Sequence, residues 1–162
     1  MARDADLYDR DFVAWTEVQA AKLRDAAAAR VDLPIDWENV AEEIGSLGRD
    51  NKRELGRRLD NIVEHLLKLR WSPDKHPAWR GTVIRERHEV EMLLEQSPSL
   101  RRLLPDLVAE AHRSEQELVV DELSDRGGIT QADAARLRDE LFSPDQILEN
   151  WWPERAADSS RD

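Results

Sequence analysis

Glu86 is a carboxylate set inside an apolar stripe. Val83 lies one helical turn before it, Val90 one turn after it, and Arg87 stands beside the same stripe. A carboxylate there must be paired, hydrogen-bonded or protonated, because an isolated buried charge is too costly. The preceding helical stretch offers partners. On a wheel of 100° per residue, Glu43, Glu54, Arg58, Asn61, His65 and Lys68 fall within about 80° of one another, with Arg58 and His65 nearest the apolar seam. Glu54 and Arg58 stand at i,i+4, a favourable ion-pair spacing. A short connection between the two stretches implies antiparallel neighbours, so Glu86 can meet Arg58 or His65. Two readings stay open. The cluster can be a polar network that fixes helix register, or a ligand or catalytic site built from Arg58, His65, Glu86 and Arg87. The candidate ligand- or partner-binding residues are Glu43, Glu54, Arg58, His65, Trp79, Glu86 and Arg87.

Other chemistry lacks its motifs. Helical di-metal sites use Glu-x-x-His pairs, whereas His88-x-x-Glu91 and His112-x-x-Glu115 run in the reverse order and lie on separate helices. His-Glu-x-x-His and the glycine-rich phosphate loops are missing. Without cysteine there is no thiol nucleophile, thiolate metal site or disulfide. Gly45-Ser46-Leu47-Gly48 lacks the strand-to-helix setting of a nucleophile elbow. We therefore assign no catalytic residue, metal ligand or cofactor, and an enzyme is the less favoured reading.

The net charge of −11 repels phosphates, which disfavours nucleic acid as a partner. The charge is uneven. Between His65 and His88 stand six bases, Lys68, Arg70, Lys75, Arg80, Arg85 and Arg87, against Asp74 and Glu86. From residue 101 onward 15 acids face eight bases. The basic segment is either a balanced solvated surface or a site for an anion or acidic partner. No run of about 18 apolar residues exists to span a bilayer. The polar start, Met1 to Phe12, is unlike a signal peptide. With the lack of cysteine, this points to a cytoplasmic protein.

The elements that must position these residues are helical. Ala, Leu, Glu and Arg dominate, and sheet formers are scarce. A first helix is expected over Asp9–Arg30. Asp36 caps a long second helix to about Trp71, with a seam of Trp37, Val40, Ile44, Leu47, Asn51, Leu55, Leu59, Ile62, Leu66 and Leu69. Asn51 in that seam suggests a buried register-setting amide. Gly45, Gly48 and Gly56 suggest a narrow groove for a closely packed helix, or a break. Residues 72–77 form a turn, and a third helix runs from Ala78 to Gln96. Another starts after Ser97-Pro98-Ser99, restarts at Pro105 and ends at Gly127-Gly128. Thr130 caps a short helix and Ser143-Pro144-Asp145-Gln146 opens the last. Trp15, Trp37 and Trp79 read as core, and Trp151-Trp152 as either a clasp for the tail or an exposed patch. The fold expected is all-α: a single-domain bundle of about five to seven helices over residues 1–155, the long second helix antiparallel to the third, and a disordered tail at 156–162.

Several segments resemble one bacterial family. They are Tyr8-Asp9-x-Asp11-Phe12-x-x-Trp15, Asn39-Val40-Ala41-Glu42-Glu43-Ile44, Ser46-Leu47-Gly48-Arg49 and Lys52-Arg53-Glu54-Leu55. They continue with His65-Leu66-Leu67-Lys68, Trp79-Arg80-x-Thr82, Arg87, Ser97-Pro98-Ser99-Leu100, and Gln146-Ile147-Leu148 ahead of Trp152-Pro153. Together they look like the domain of unknown function 29 family. The resemblance implies a small all-helical bacterial protein and no particular activity. Gly45 departs from the family pattern, in which a Glu often stands at that place.

The sequence thus favours a protein-interaction or regulatory module over a small-ligand-binding protein or enzyme at the Arg58/His65/Glu86/Arg87 cluster. A protein is the expected partner, with neither nucleic acid nor membrane, and self-association through the long seam is compatible with both readings.

Overall fold

The helical periodicities become seven α-helices, and no strand occurs among the described residues. The structure, a computed structural model, describes residues 2–30, 33–74 and 76–156, with the backbone alone over 2–5. Helix α1 spans Ala2–Arg10, α2 Phe12–Ala28, α3 Trp37–Trp71, α4 Pro77–Gln96, α5 Leu104–Asp125, α6 Gln131–Arg138 and α7 Pro144–Leu148, with a 3-10 turn at Pro98–Leu103. Lys75 of the basic segment and residues 157–162 of the expected tail lie outside the described residues. Ala156, placed in that tail by the sequence reading, donates its backbone N–H to Arg70 O at 2.8 Å. No helix among the described residues is long and apolar enough to cross a membrane.

Local chemistry sets the helix ends. Asp36 Oδ1 accepts from Asn39 N at 3.2 Å and starts α3. Thr130 caps α6, and Ser143 with Gln146 forms a full capping box on α7. Pro105 sits in the first turn of α5, where its missing N–H costs nothing, so it restarts the helix after the 3-10 turn. The long helix is third rather than second, because the expected first helix is broken at Asp11. Asp11 is extended and caps α2 through Ala14 N at 2.9 Å.

The chain groups into two compact units. The first holds residues 1–55 and 91–102. Here Asp11 Oδ1 also accepts from Ser99 Oγ at 2.8 Å and Oδ2 from Ser99 N at 2.6 Å, while buried Ser97 accepts from Val13 N. Helix α2 packs on α3 at Gly45, against Ala20, and at Gly48, against Thr16 and Val13, and α3 buries Ala41, Gly48 and Leu55 at steps of seven. A Cβ at Gly48 would overlap Thr16 Oγ1. The buried face therefore sits one residue on from the expected seam. Val40 and Leu47 are exposed and Asn51 is half-buried rather than core. Small residues at 41 and 48 let α2 approach closely, and bulky Val40 and Leu47 would hold it off. The helix does not break at Gly45–Gly48, and Gly56 lies instead against Leu107 in the second unit.

The second unit holds residues 56–90 and 103–162. Its part of α3 buries Leu59, Ile62, Val63, Leu66 and Leu67 completely, each contributing roughly 1.5–3 kcal/mol through loss of apolar surface to water. Val83 and Val90 of α4, the Val108–Leu123 face of α5, Leu137 of α6, Phe142 and Ile147 are buried in the same unit. The turn after Trp71 reverses the chain, so α3 and α4 run antiparallel here. Among the tryptophans expected in the core, Trp15, Trp37 and Trp79 are only half-buried. Trp15 instead packs edge-on against Tyr8, with ring centroids 4.9 Å apart. Trp71 is the deeply buried one.

Candidate functional site

The antiparallel packing brings Arg58 to Glu86 and leaves His65 aside. Arg58 Nη1 donates to Glu86 Oε2 at 2.8 Å, with Glu89 3.4 Å from Nη2 and Arg85 3.8 Å from Glu86 Oε1. Glu86 is buried, as its place in the stripe demands, and its charge is met. His65 lies about 10.5 Å further along α3, seven residues at 1.5 Å each. Its Nδ1 bonds Asn61 O at 2.8 Å on its own helix. Glu43 and Glu54 belong to the first unit, where Glu43 is exposed and Glu54 half-buried. Trp79 is half-buried with its ring 5.7 Å from that of His76. Of the seven candidates, the fold brings Arg58 and Glu86 together as an ion pair and turns His65 to its own helix.

Arg87 has a different task. Its Nε donates to Ile147 O at 2.7 Å, and its Nη2 donates to Gln146 O at 2.9 Å and Trp151 O at 2.8 Å. Burial lowers its pKa, yet an arginine remains charged. The guanidinium also lies over the Trp152 ring, 4.8 Å from the centroid, and Arg80 lies over the same ring at 4.3 Å. Trp151 packs against Phe142 at 5.5 Å. Further on, Arg70 Nη1 donates to Glu154 O at 2.7 Å, while its Nε holds Glu140 at 2.7 Å. The segment after α7 is thereby pinned at both ends as a strap, and the tryptophan pair docks it.

The strap forms one wall of an open cleft of about 320 Å³. Leu69, Ser72, Asp74, His76, Pro77 and Arg80 line one side and Trp152, Pro153 and Arg155 the other. The wall is mainly apolar, with Arg80 and Arg155 as cations and Asp74 as the opposing charge. Ser72 is turned inward, accepting from Asp74 N at 3.1 Å. Helix α4 begins at Pro77, so its positive end opens on the same space.

A second charged group lies along α3 and α5. Burial opposes the Lys68 ammonium, but hydrogen bonds to Glu122 (2.5 Å) and Glu64 (2.7 Å) win and raise its pKa. Desolvation raises Asp60, reinforced by Glu110, and raises Glu115, reinforced by Asp60 and Glu64. Among the described residues no three His, Asp or Glu side chains come together to hold a metal ion.

Sequence reasoning missed the cleft. Its signals were present as the basic segment, the Trp151-Trp152 pair and the double-proline turn at 73–77, but nothing local says that residues 69–80 meet 152–155.

Residues 7–152 match the family model described as Domain of unknown function DUF29, and the chain belongs to that family. Among solved structures it is similar to an alpha-helical protein of unknown function from Rhodospirillum rubrum. The two are 25% identical over 87% of this chain and 94% of that one, with a TM-score of 0.62. No curated protein matches this chain.

Proposed function

We propose that this DUF29 member is a protein-interaction module whose binding site is the cleft between the 69–80 segment and the strap. The observation that carries the reading is the cleft itself: an apolar recess with a tryptophan wall held rigid by two arginines. Rigid Trp and Arg are the side chains that dominate interface energetics, and preorganising them lowers the entropy lost on binding. Arg58 and Glu86 spend their charges on each other, and Arg87 spends its donors on the strap, which leaves the cleft as the better candidate. A small-molecule ligand is the second reading, favoured by a volume at the lower end of the range for such sites.

A photo-crosslinking residue in place of His76, inside the cleft, should yield a discrete adduct with another protein when illuminated in producing cells. The same residue in place of Arg113, exposed on α5 away from the cleft, should not. Equal adducts from both positions, or none from position 76, would overturn the reading.

A further inference from the structure

The charges around the cleft specify what kind of segment it takes. In the second unit several arginines are neutralised: Arg58 by Glu86, Arg70 by Glu140, Arg126 by Glu122, Arg136 by Asp133 and Arg138 by Glu117. Arg80 and Arg155 have no carboxylate partner among the described residues; Arg87 and Arg113 have none either, but Arg87 is committed to the carbonyls of the strap and Arg113 lies away from the cleft. Arg80 and Arg155 both line the cleft. On a chain of net charge −11, a mainly apolar recess lined by two cations that make no ion pair stands out against the surrounding field. Asp74 on the same wall offsets one of them. The positive end of α4, a 20-residue helix beginning at Pro77, adds to the positive side. Stacking on Trp152 holds Arg80 in place while the edge of a stacked guanidinium can still donate to a carboxylate.

We infer, on the basis of the interaction reading above, that the cleft takes an acidic, apolar-bearing segment of a partner protein. An aliphatic or aromatic side chain fills the space between Leu69, Pro77, Trp152 and Pro153, and neighbouring carboxylates meet Arg80 and Arg155. Asp74 is placed to accept a backbone N–H from the same segment. Nucleic acid carries the required negative charge too, but the field of the whole chain repels a long polyanion, whereas a short segment with two or three carboxylates meets only the local cations.

The test is selection of a random twelve-residue peptide library displayed on phage against the full chain, followed by solution binding of the selected peptides. The expected result is enrichment of Asp and Glu within three residues of Leu, Ile or Phe. Binding of those peptides should weaken at least tenfold in Arg80→Glu and much less in Arg80→Lys. Arg80 is exposed and Arg87 also lies over Trp152, so these variants should stay folded, and amide exchange across residues 151–156 checks that the strap remains docked in Arg80→Glu. Raising salt from 50 to 300 mM should weaken binding several-fold. Enrichment without an acidic preference, or equal binding by Arg80→Glu, overturns the acidic occupant and leaves the interaction reading standing. Displacement of the peptides by an equal concentration of a single-stranded oligonucleotide also overturns it, in favour of nucleic acid. No enriched peptide at all overturns both.

Discussion

Arg58 and Glu86 face each other from α3 and α4, Nη1 to Oε2 at 2.8 Å, with the Glu86 side chain only 9% exposed. Glu86→Ala leaves Arg58 beside the more exposed Glu89, 3.4 Å from Nη2. Breaking such a pair typically costs 3–5 kcal/mol when fully buried. Because Arg58 is 23% exposed, the expected loss is about 2–3 kcal/mol. Replacing both partners, Arg58→Met with Glu86→Leu, should bring stability back to within ~1 kcal/mol of the wild type. Urea denaturation of the four proteins measures this; an Ala variant as stable as the wild type would show that the pair does not hold the helices together.

The strap depends on Arg87. Arg87→Ala removes three bonds to backbone carbonyls and one cation over Trp152. Amide exchange across residues 146–156 should speed at least tenfold, with smaller change in α5. Arg87→Lys, which lacks the planar fork, should fall between. Uniform acceleration throughout the chain would mean that Arg87 supports the whole unit rather than the strap.

His112 makes stability pH-dependent. Phe142 N donates to its Nε2 at 2.9 Å, so Nδ1 carries the proton and donates to Val108 O at 2.8 Å. Both nitrogens are committed in the neutral form. Burial lowers the pKa, outweighing the opposite pulls of the Val108 carbonyl and Glu140. A group with a depressed folded pKa contributes stability that is present above its unfolded pKa, about 6.5, and lost as pH falls through the folded one. The slope from this one proton is at most about 1.4 kcal/mol per pH unit. The raised carboxylates Asp60 and Glu115 act oppositely: their contribution is present below their unfolded values and lost as pH rises through the folded ones. His112→Gln should therefore flatten the stability profile below pH 6.5 specifically. An unchanged slope would assign the acid sensitivity elsewhere.

Two glycines should respond in opposite directions. At Gly48 a methyl group would overlap Thr16 Oγ1, so Gly48→Ala should cost about 1–3 kcal/mol. In a Thr16→Ala background that penalty should shrink. At Gly81, inside α4, a Cβ would meet nothing within 4 Å, and Gly81→Ala should stabilise by about 0.5–1 kcal/mol through lower backbone entropy of the unfolded chain. Melting temperatures decide both, and destabilisation by Gly81→Ala would contradict the open space seen there.

What was legible in the sequence is what acts over one or two helical turns. The caps at Asp36, Thr130 and Ser143, the extent of α3 and the enforced pairing of Glu86 all follow from groups within a few residues or from one burial penalty. The phase of the buried face in the first unit was not legible, because Val40/Leu47 and Ala41/Gly48 offer competing stripes. The small pair won through close approach of α2. The break at Asp11 was hidden too, since its carboxylate is completed by Ser99, 88 residues away.

By itself, then, the sequence determined an all-helical chain with a paired carboxylate at position 86, since hydrogen bonding, apolar periodicity and the cost of buried charge are local constraints. Tertiary structure alone decided that Glu86 takes Arg58 and not His65, that Arg87 serves the strap, and that Arg80 and Trp152 share a cleft. Each of these depends on axial register or on contacts between distant segments, and helical periodicity carries no information about either.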